Sequence, residues 1–494
     1  MDEHLTLPPV RASRRGTTTQ ENHHHMTPTT DSRAVLMLVV LSLAGTAVAL
    51  NQSIVLPLLP DLPRLLGTGP AGASWLLTAT LLAGALATPT ISRLADMYGK
   101  KRMVLVSLVA MVVGSLVGAL TDSLAPMLVA RALQGTGMAL VPVGIALMRD
   151  MLPPRHVPLG VALMSATLAV GAGVGMPLSG LVAARLDWHA LFWITGGLGA
   201  VVLLAIALVV EESPVRAPGR FDLPGALLLS LALSALLLAL SKGGAWGWTS
   251  RPTLVSALCG ILALAAWVPQ QLRARRPVVD LRLAVRPEVL LVNLSALLMG
   301  FAMYTDLLVT SQLLQAPEHE GIGLGMDLRR AGLWLAPNAV TFGLMAPVTA
   351  AVVRRHGPRA TLLAGALLMG ATYLARSAFS SGLAQVVAGS VAVAVGASLA
   401  YAAMPTLIMR AVPESETASA NGLNTLLRAV GTALASSVVA AVTTTYVLGS
   451  GAASYTDPDA LMAVFRVSAL MCLGTILLTV PMFFLRGASR SGTS

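Results

Sequence analysis

The chain has 494 residues, of which 55% are hydrophobic and only 11% charged, with a formal net charge of +11. A soluble domain carries about 25% charged residues, so this composition excludes a string of water-soluble domains. The apolar residues come in blocks of roughly 20, the length an α-helix needs to cross a bilayer core, and the chain reads as an all-α polytopic membrane protein.

Residues 1–33 are polar, with Thr, Pro and Arg, and read as a disordered cytoplasmic tail. His23, His24 and His25 lie in that tail; three adjacent histidines there read as incidental, and no metal site is expected. Fourteen apolar blocks follow, at approximately 34–60, 72–92, 103–121, 125–148, 158–184, 190–210, 223–241, 252–270, 288–315, 331–353, 360–379, 383–410, 418–446 and 462–485. The first is too long for a signal-peptide core and lacks a convincing cleavage site, so it is kept as a mature helix. Between the second and third, "SRLADMYGKKRMVLVS" (92–107) concentrates an acid and three consecutive basic residues, and reads as a loop where charge meets water. Cys259 and Cys472 both fall inside apolar blocks, which argues for buried inert thiols and against a disulfide framework or a zinc site.

Orientation follows from Lys and Arg, which favour the cytoplasmic side of short loops. With the N-terminus inside and alternating spans, the inside segments hold 23 basic residues and the outside segments 8, Lys242 and Arg376 among the latter. Arg131 and Arg428 fall within blocks. Both termini are therefore expected in the cytoplasm, and the positive charge needs no nucleic acid to explain it.

The chain also repeats itself weakly. "APVTAAVVRRHGPRATLLAGALLMG" (346–370) echoes "TPTISRLADMYGKKRMVLVSLVAMV" (88–112), with Pro347 on Pro89, Gly357 on Gly99 and Arg359 on Lys101, all offset by 258. Gly431 falls on Gly171 at an offset of 260. Two parallel six-helix halves with two helices inserted between them give such offsets, and parallel repeats are a transporter architecture with its solute site near the bilayer midplane. The expected organisation is a tail (1–33), an N-terminal half (34–210), two inserted helices with flanking loops (211–287), a C-terminal half (288–485) and a second cytoplasmic tail (486–494).

The charged stretch resembles the loop between the second and third helices of the major facilitator superfamily, whose pattern is G-x-L-a-D-r-x-G-r-k. Leu94, Ala95, Asp96, Gly99, Lys100 and Lys101 match it, while Ser92 replaces its first glycine and Met97 a basic residue. "LVARALQGTGMAL" (128–140) is similar to the family's fourth-helix pattern R-x-x-Q-G-x-G, through Arg131, Gln134, Gly135 and Gly137. "GAGVGMPLSG" (171–180), with Gly171, Gly175, Pro177 and Gly180, resembles the fifth-helix antiporter motif, its proline one place later than usual. With fourteen blocks the chain is most similar to the drug:proton antiporters of that superfamily. In "LNQSIVLPLLP" (50–60), Asn51 stands where many of these exporters carry an aspartate.

The resemblance implies the major facilitator fold and a proton-coupled exporter of lipophilic drugs or endogenous secondary metabolites, working by alternating access in the plasma membrane. It also implies that Arg131 faces a central cavity and that Asp96, with Gly99, Lys100, Lys101 and Arg102, acts as a conformational gate. An importer or facilitator of a small organic solute is the alternative within the fold. A membrane-embedded enzyme or a non-transporting receptor is the alternative outside it; no H-E-x-x-H or G-x-S-x-G occurs.

The residues narrow the energy source. A P-loop requires a lysine followed by Ser or Thr, and Lys100, Lys101 and Lys242 are followed by Lys, Arg and Gly. Proton coupling needs an acid the membrane exposes to either side in turn. Asp306, in "MGFAMYTDLLVTSQLLQ" (299–315), is the one acid well inside a block, and an ionisable residue in a span is functional by default. It either couples transport or reaches water near the outer end of its helix. Arg131 and Gln134 are three residues apart and share a helix face. Asn51, Gln312, Asn338 and Arg428 complete the candidate coupling or cavity residues, with Gln52, Gln315, Tyr304 and Trp334 as further lining. The expected partners are the lipid bilayer, an amphiphilic solute and protons; no cofactor and no nucleic acid are expected, and the protein is read as a monomer.

Overall fold

A computed structural model describes residues 31–484 apart from 56–57, 59–60, 184, 218, 317–322, 327, 381 and 449–454. His23, His24 and His25 and both tails lie outside the described residues. The apolar blocks fold as helices because lipid offers no partner for a backbone N–H or C=O, so each segment must satisfy its own.

The long helices are α1 (Asp31–Ser53), α2 (Pro70–Tyr98), α3 (Lys100–Ala119), α4 (Leu124–Met151), α5 (Val157–Ala183), α6 (Ala190–Val209), α7 (Leu223–Trp246), α8 (Arg251–Arg273), α9 (Pro287–Gln315), α10 (Leu328–Arg376), α11 (Leu383–Ala411), α12 (Thr417–Thr445) and α13 (Pro458–Thr479). A 3₁₀ turn at Thr136–Ala139 interrupts α4. Among the described residues twelve helices are long and apolar enough to cross a membrane. One of them, in α10, runs across Gly357, whose φ of 81° breaks helical geometry and leaves two arms, 328–356 and 358–376. The helix α5 has 27 residues. Among the described residues the one exception to helix, turn and irregular chain is a short pairing between α12 and α13, where β1 (Val447–Leu448) runs antiparallel to β2 (Tyr455–Thr456).

The charged stretch 92–107 is not a loop. Residues 92–98 complete α2, residues 100–107 begin α3, and only Gly99 between them leaves the helical region, with φ 123°. A left-handed φ of this kind strains any residue with a Cβ, so a single glycine replaces the expected exposed loop. Gly357 repeats the device at the position expected of an internal repeat, and Pro89 and Pro347 both lie inside their helices. Gly171 and Gly431 each lie against the backbone of another helix. A methyl on Gly171 would fall 2.7 Å from Leu50 N of α1, and Gly431 lies against Leu297 O of α9.

In the first part of the chain α1 packs on α5 and α6, α2 on α4, and α3 on α4 and α6. In the last part α9 packs on α11, α12 and α13, and α10 on α11 and α13. The two groups meet where α5 packs on α10 and α11, and where α12 packs on α2 and α4. Between them in sequence, α7 packs on α8 and touches both α2 and α12. Asp222 caps α7 by accepting from Gly225 N at 3.0 Å, and Gln270 and Gln271 of α8 donate to the same carboxylate at 2.9 and 2.7 Å. The outward faces are apolar: Leu254, Val255, Leu258, Ile261 and Leu262 of α8 are all exposed, the pattern of a helix facing lipid. Cys259 is on that exposed face, contrary to its expected burial, whereas Cys472 is buried.

Candidate functional site

Three polar clusters lie within this apolar framework. The first surrounds Asp306 on α9, which is 2% exposed and does not reach water. Its carboxylate forms an ion pair with Arg376, at the end of the second arm of α10. Ser390 Oγ of α11 donates to Asp306 Oδ2 at 2.7 Å, and Asn338 Nδ2, from the first arm of α10, donates to the same oxygen at 3.1 Å. Asn338 is fixed in turn by Ser390 O and Oγ, both at 2.8 Å. Arg376 Nη2 donates to Thr310 Oγ1 at 2.9 Å, and its guanidinium lies 4.3 Å from the ring centre of Phe465 on α13. A methyl at Gly389 would come within 2.7 Å of Arg376 Cδ, so a residue without a side chain on α11 makes room for this arginine.

Arg376 was expected on an outside segment. It is instead buried, because a carboxylate in the interior stabilises a guanidinium there far more than an apolar wall does. The sequence held a usable signal: a lone acid within a span calls for a cation at the same depth on a neighbouring helix, and Arg376 closes the eleventh block. Lys242, also counted outside, is buried too; it donates to Ser74 Oγ at 2.7 Å and lies 4.6 Å from the Trp75 ring centre.

The second cluster joins α1, α3 and α4. Arg131 is 1% exposed and donates through Nη1 to Gln134 Oε1 at 2.7 Å and to Asn51 O at 3.2 Å. Asn51 Nδ2 and Gln134 Nε2 both donate to Ser115 Oγ at 3.1 Å. The expected pairing of Arg131 and Gln134 on one face is present, and Asn51 joins them. Ser115 was not foreseen. It is brought in by the close approach of α3 to α4 at Gly114, where a methyl would fall 2.6 Å from Ala130 O. Arg131 Nε and Asn51 Oδ1 are buried without a partner.

The third cluster ties the two helical groups together. Asp96, in the last turn of α2, accepts from the backbone N–H of Ala418 at 3.1 Å and of Ser419 at 2.8 Å, at the N-terminus of α12. A carboxylate at a helix N-terminus meets unpaired N–H groups and the positive end of the dipole. Lys100 Nζ stands 3.9 Å from Asp96 and 2.5 Å from Asp150 Oδ2 at the end of α4. Gly99 is the bend between these groups, while Lys101 Nζ reaches Ala207 O at 2.9 Å and Arg102 is exposed. Arg149 adds a bond to Thr417 Oγ1 at 2.6 Å.

The segment after α6 joins this cluster, although its sequence reads as a plain linker. Glu212 accepts from Lys101 N at 2.9 Å and Arg102 N at 3.1 Å, Ser213 Oγ donates to Asp150 Oδ2 at 2.5 Å, and Ala217 N donates to Asp96 O at 2.7 Å.

The remaining expected residues are dispersed. Arg428 on α12 is buried with its guanidinium 4.7 Å from the Tyr401 ring centre. Gln312 is partly buried and its Oε1 has no partner, while Gln315 and Trp334 are exposed and line no interior. Gly175 lies against Ser53 of α1 and Gly173 against Ala339 of α10, so the glycines of α5 serve close packing on both groups. Pro177 and Gly180 lie within the helical span of α5.

Residues 41–436, and again 294–494, match the family model described as Major Facilitator Superfamily. The chain belongs to the major facilitator superfamily. A multidrug resistance protein, Stp, of Mycobacterium tuberculosis (strain CDC 1551 / Oshkosh) is 30% identical over 83% of this chain and 75% of its own length. A tetracenomycin C resistance and export protein of Streptomyces glaucescens is 28% identical over 79% of this chain and 72% of its own. Among solved structures, the human organic anion transporter MFSD10 (TETRAN) superposes with a TM-score of 0.65 at 18% identity, covering 90% of this chain and 99% of that one. That likeness is one of fold. As a major facilitator transporter the protein is a multi-span membrane protein, and its relatives at about this identity include exporters of drugs and antibiotics.

Proposed function

We propose that this protein is a proton-coupled antiporter that exports lipophilic drugs or the cell's own secondary metabolites by alternating access across the cell membrane. The observation that carries the reading is the junction of Asp96 with the N-terminus of α12. Alternating access needs a lock between two helical groups that holds at one face and releases, and a carboxylate on two backbone N–H groups is such a lock. The chain's similarity to a multidrug resistance protein and to a tetracenomycin C resistance and export protein favours outward transport of lipophilic solutes.

In this reading the chain crosses the bilayer fourteen times, counting the two arms of α10 separately and including α5, with both termini in the cytoplasm. Residues 34–210 and 288–485 form the two halves, and 211–287 carry the inserted pair. The protein acts as a monomer, without cofactor, metal or nucleic acid, and does no covalent chemistry on its solute. Asp306 carries the coupling proton: its protonation discharges the ion pair with Arg376 and frees that guanidinium to change partner.

Everted membrane vesicles test the reading. Acidifying the lumen should drive uptake of a solute to which the expressed protein confers resistance, and a protonophore should abolish it. Equal uptake with and without the gradient points to a facilitator and defeats the coupled reading.

A further inference from the structure

The charges buried in the helices do not balance. Among the described residues, the acids set into the helix bundle are already engaged. Asp96 is held by Ala418 and Ser419 N–H, Asp150 by Lys100, Glu288 by Arg359 and Asp306 by Arg376. Four buried cations among the described residues, Arg93, Arg131, Lys242 and Arg428, have no carboxylate at ion-pair distance, and Arg131 is the most deeply buried of them. Arg131 is 1% exposed and its partners are a backbone carbonyl, an amide oxygen and nothing at Nε. Arg428 is 6% exposed and rests on the Tyr401 ring, with no carboxylate at ion-pair distance.

A buried guanidinium without a counter-ion is strongly destabilising, and the penalty is relieved by an anion that brings both charge and acceptors. Two features mark Arg131 as built for one. The neighbouring side chain on α1 is the neutral Asn51, which presents its backbone oxygen to the guanidinium and spends its amide on Ser115. The unpartnered Arg131 Nε and Asn51 Oδ1 leave the shell around the arginine incomplete. Arg428 lies where the two groups meet, since Tyr401 beneath it accepts from Ser165 of α5 through its backbone oxygen at 3.1 Å.

We propose that the transported solutes are amphiphilic organic anions, a carboxylate or acidic enol on a lipophilic body, with Arg131 as the ion-pairing residue and Arg428 as a second cation along the path. This rests on the transporter reading above and adds the sign of the solute charge. Arg131 is closed off in the present arrangement, so the anion reaches it when the two groups part.

The test is equilibrium binding to the purified full-length protein in nanodiscs, followed by energy transfer from tryptophan, with empty nanodiscs as the blank. The probes are pyrenebutyrate, its primary amide and pyrenebutyltrimethylammonium, which share one body and differ in charge. The anion should bind about tenfold more tightly than the amide, as expected for a hydrogen bond to a charged group, and the ammonium should bind weakest. Arg131→Gln should erase the preference while amide binding persists, Arg131→Lys should keep most of it, and Arg428→Gln should reduce it. The proposal is overturned if the amide or the ammonium binds as well as the anion, if none of the three binds, or if Arg131→Gln leaves the order unchanged. Because no gradient is present, failure here leaves the export reading standing, and failure of vesicle uptake leaves this one standing.

Discussion

Asp306 and Arg376, 70 residues apart in sequence, form a buried ion pair between α9 and the second arm of α10. Asn338, Ser390 and Thr310 complete its shell, so four helical segments converge on one carboxylate. Removing one partner of a buried pair leaves the other charge uncompensated, which is destabilising by about 3–5 kcal/mol. Asp306→Asn should therefore lower the melting temperature and abolish gradient-driven accumulation, while downhill exchange survives. Asp306→Asn combined with Arg376→Gln should recover most of the melting temperature without recovering uphill transport. Recovery of both would show that the pair serves stability alone. Thermal melting and flux in proteoliposomes read the two quantities separately.

Asp96→Asn keeps the shape of the lock and removes its charge. The loss at the α12 N-terminus should be about 1–2 kcal/mol, from the helix dipole and two charge-assisted hydrogen bonds. Transport should slow while solute affinity stays within about twofold, a shift well below the 1.4 kcal/mol of a tenfold change. A cysteine at Ser419 should react faster with thiol reagents in the Asp96→Asn background than in its absence. Unchanged transport rates at equal expression would reduce this stretch to a topology signal.

The two left-handed glycines should differ. At Gly357 an added methyl meets nothing within 4 Å, so Gly357→Ala should bring backbone strain alone, about 1–2 kcal/mol. At Gly99 the methyl would also press on the Glu212 carboxylate, 2.7 Å from its Cδ, so Gly99→Ala should be the more destabilising of the two. Thermal unfolding of both variants in one detergent checks the order.

Topology gives a fourth expectation. Single cysteines at Arg102, Arg220, Arg275 or Arg355, all exposed, should resist impermeant thiol reagents in intact cells once Cys259 and Cys472 are replaced. Labelling at Arg275 from outside would overturn the fourteen-span arrangement.

The helical bundle was legible in the sequence because spans announce themselves by length and apolarity; the bend at Gly99 was not, because a charged stretch around a glycine between two apolar blocks has the same composition as an exposed loop. Arg131 and Gln134 were legible as a pair because their spacing alone puts them on one face. Arg376 was not. At the end of an apolar block, an arginine that points to water and one that points to a carboxylate on another helix have the same local sequence. Glu212 and Ser213 escaped for a related reason. A short polar segment between spans looks like a linker, and its hydrogen bonds to α3 and α4 depend on tertiary placement that no local pattern encodes.

The helix α7 is attached at one end to both sides of a seam. Ser241 bonds Thr78 of α2 at 3.3 Å, while Ser437 of α12 donates to Leu240 O at 3.0 Å. At the other end of α2, Asp96 grips α12 directly. If α2 and α12 separate and rejoin in each turnover, α7 must release one bank each time and be recaptured. It then behaves as a second latch beside the Asp96 lock, and its two hydroxyl bonds add to what must break before the seam opens.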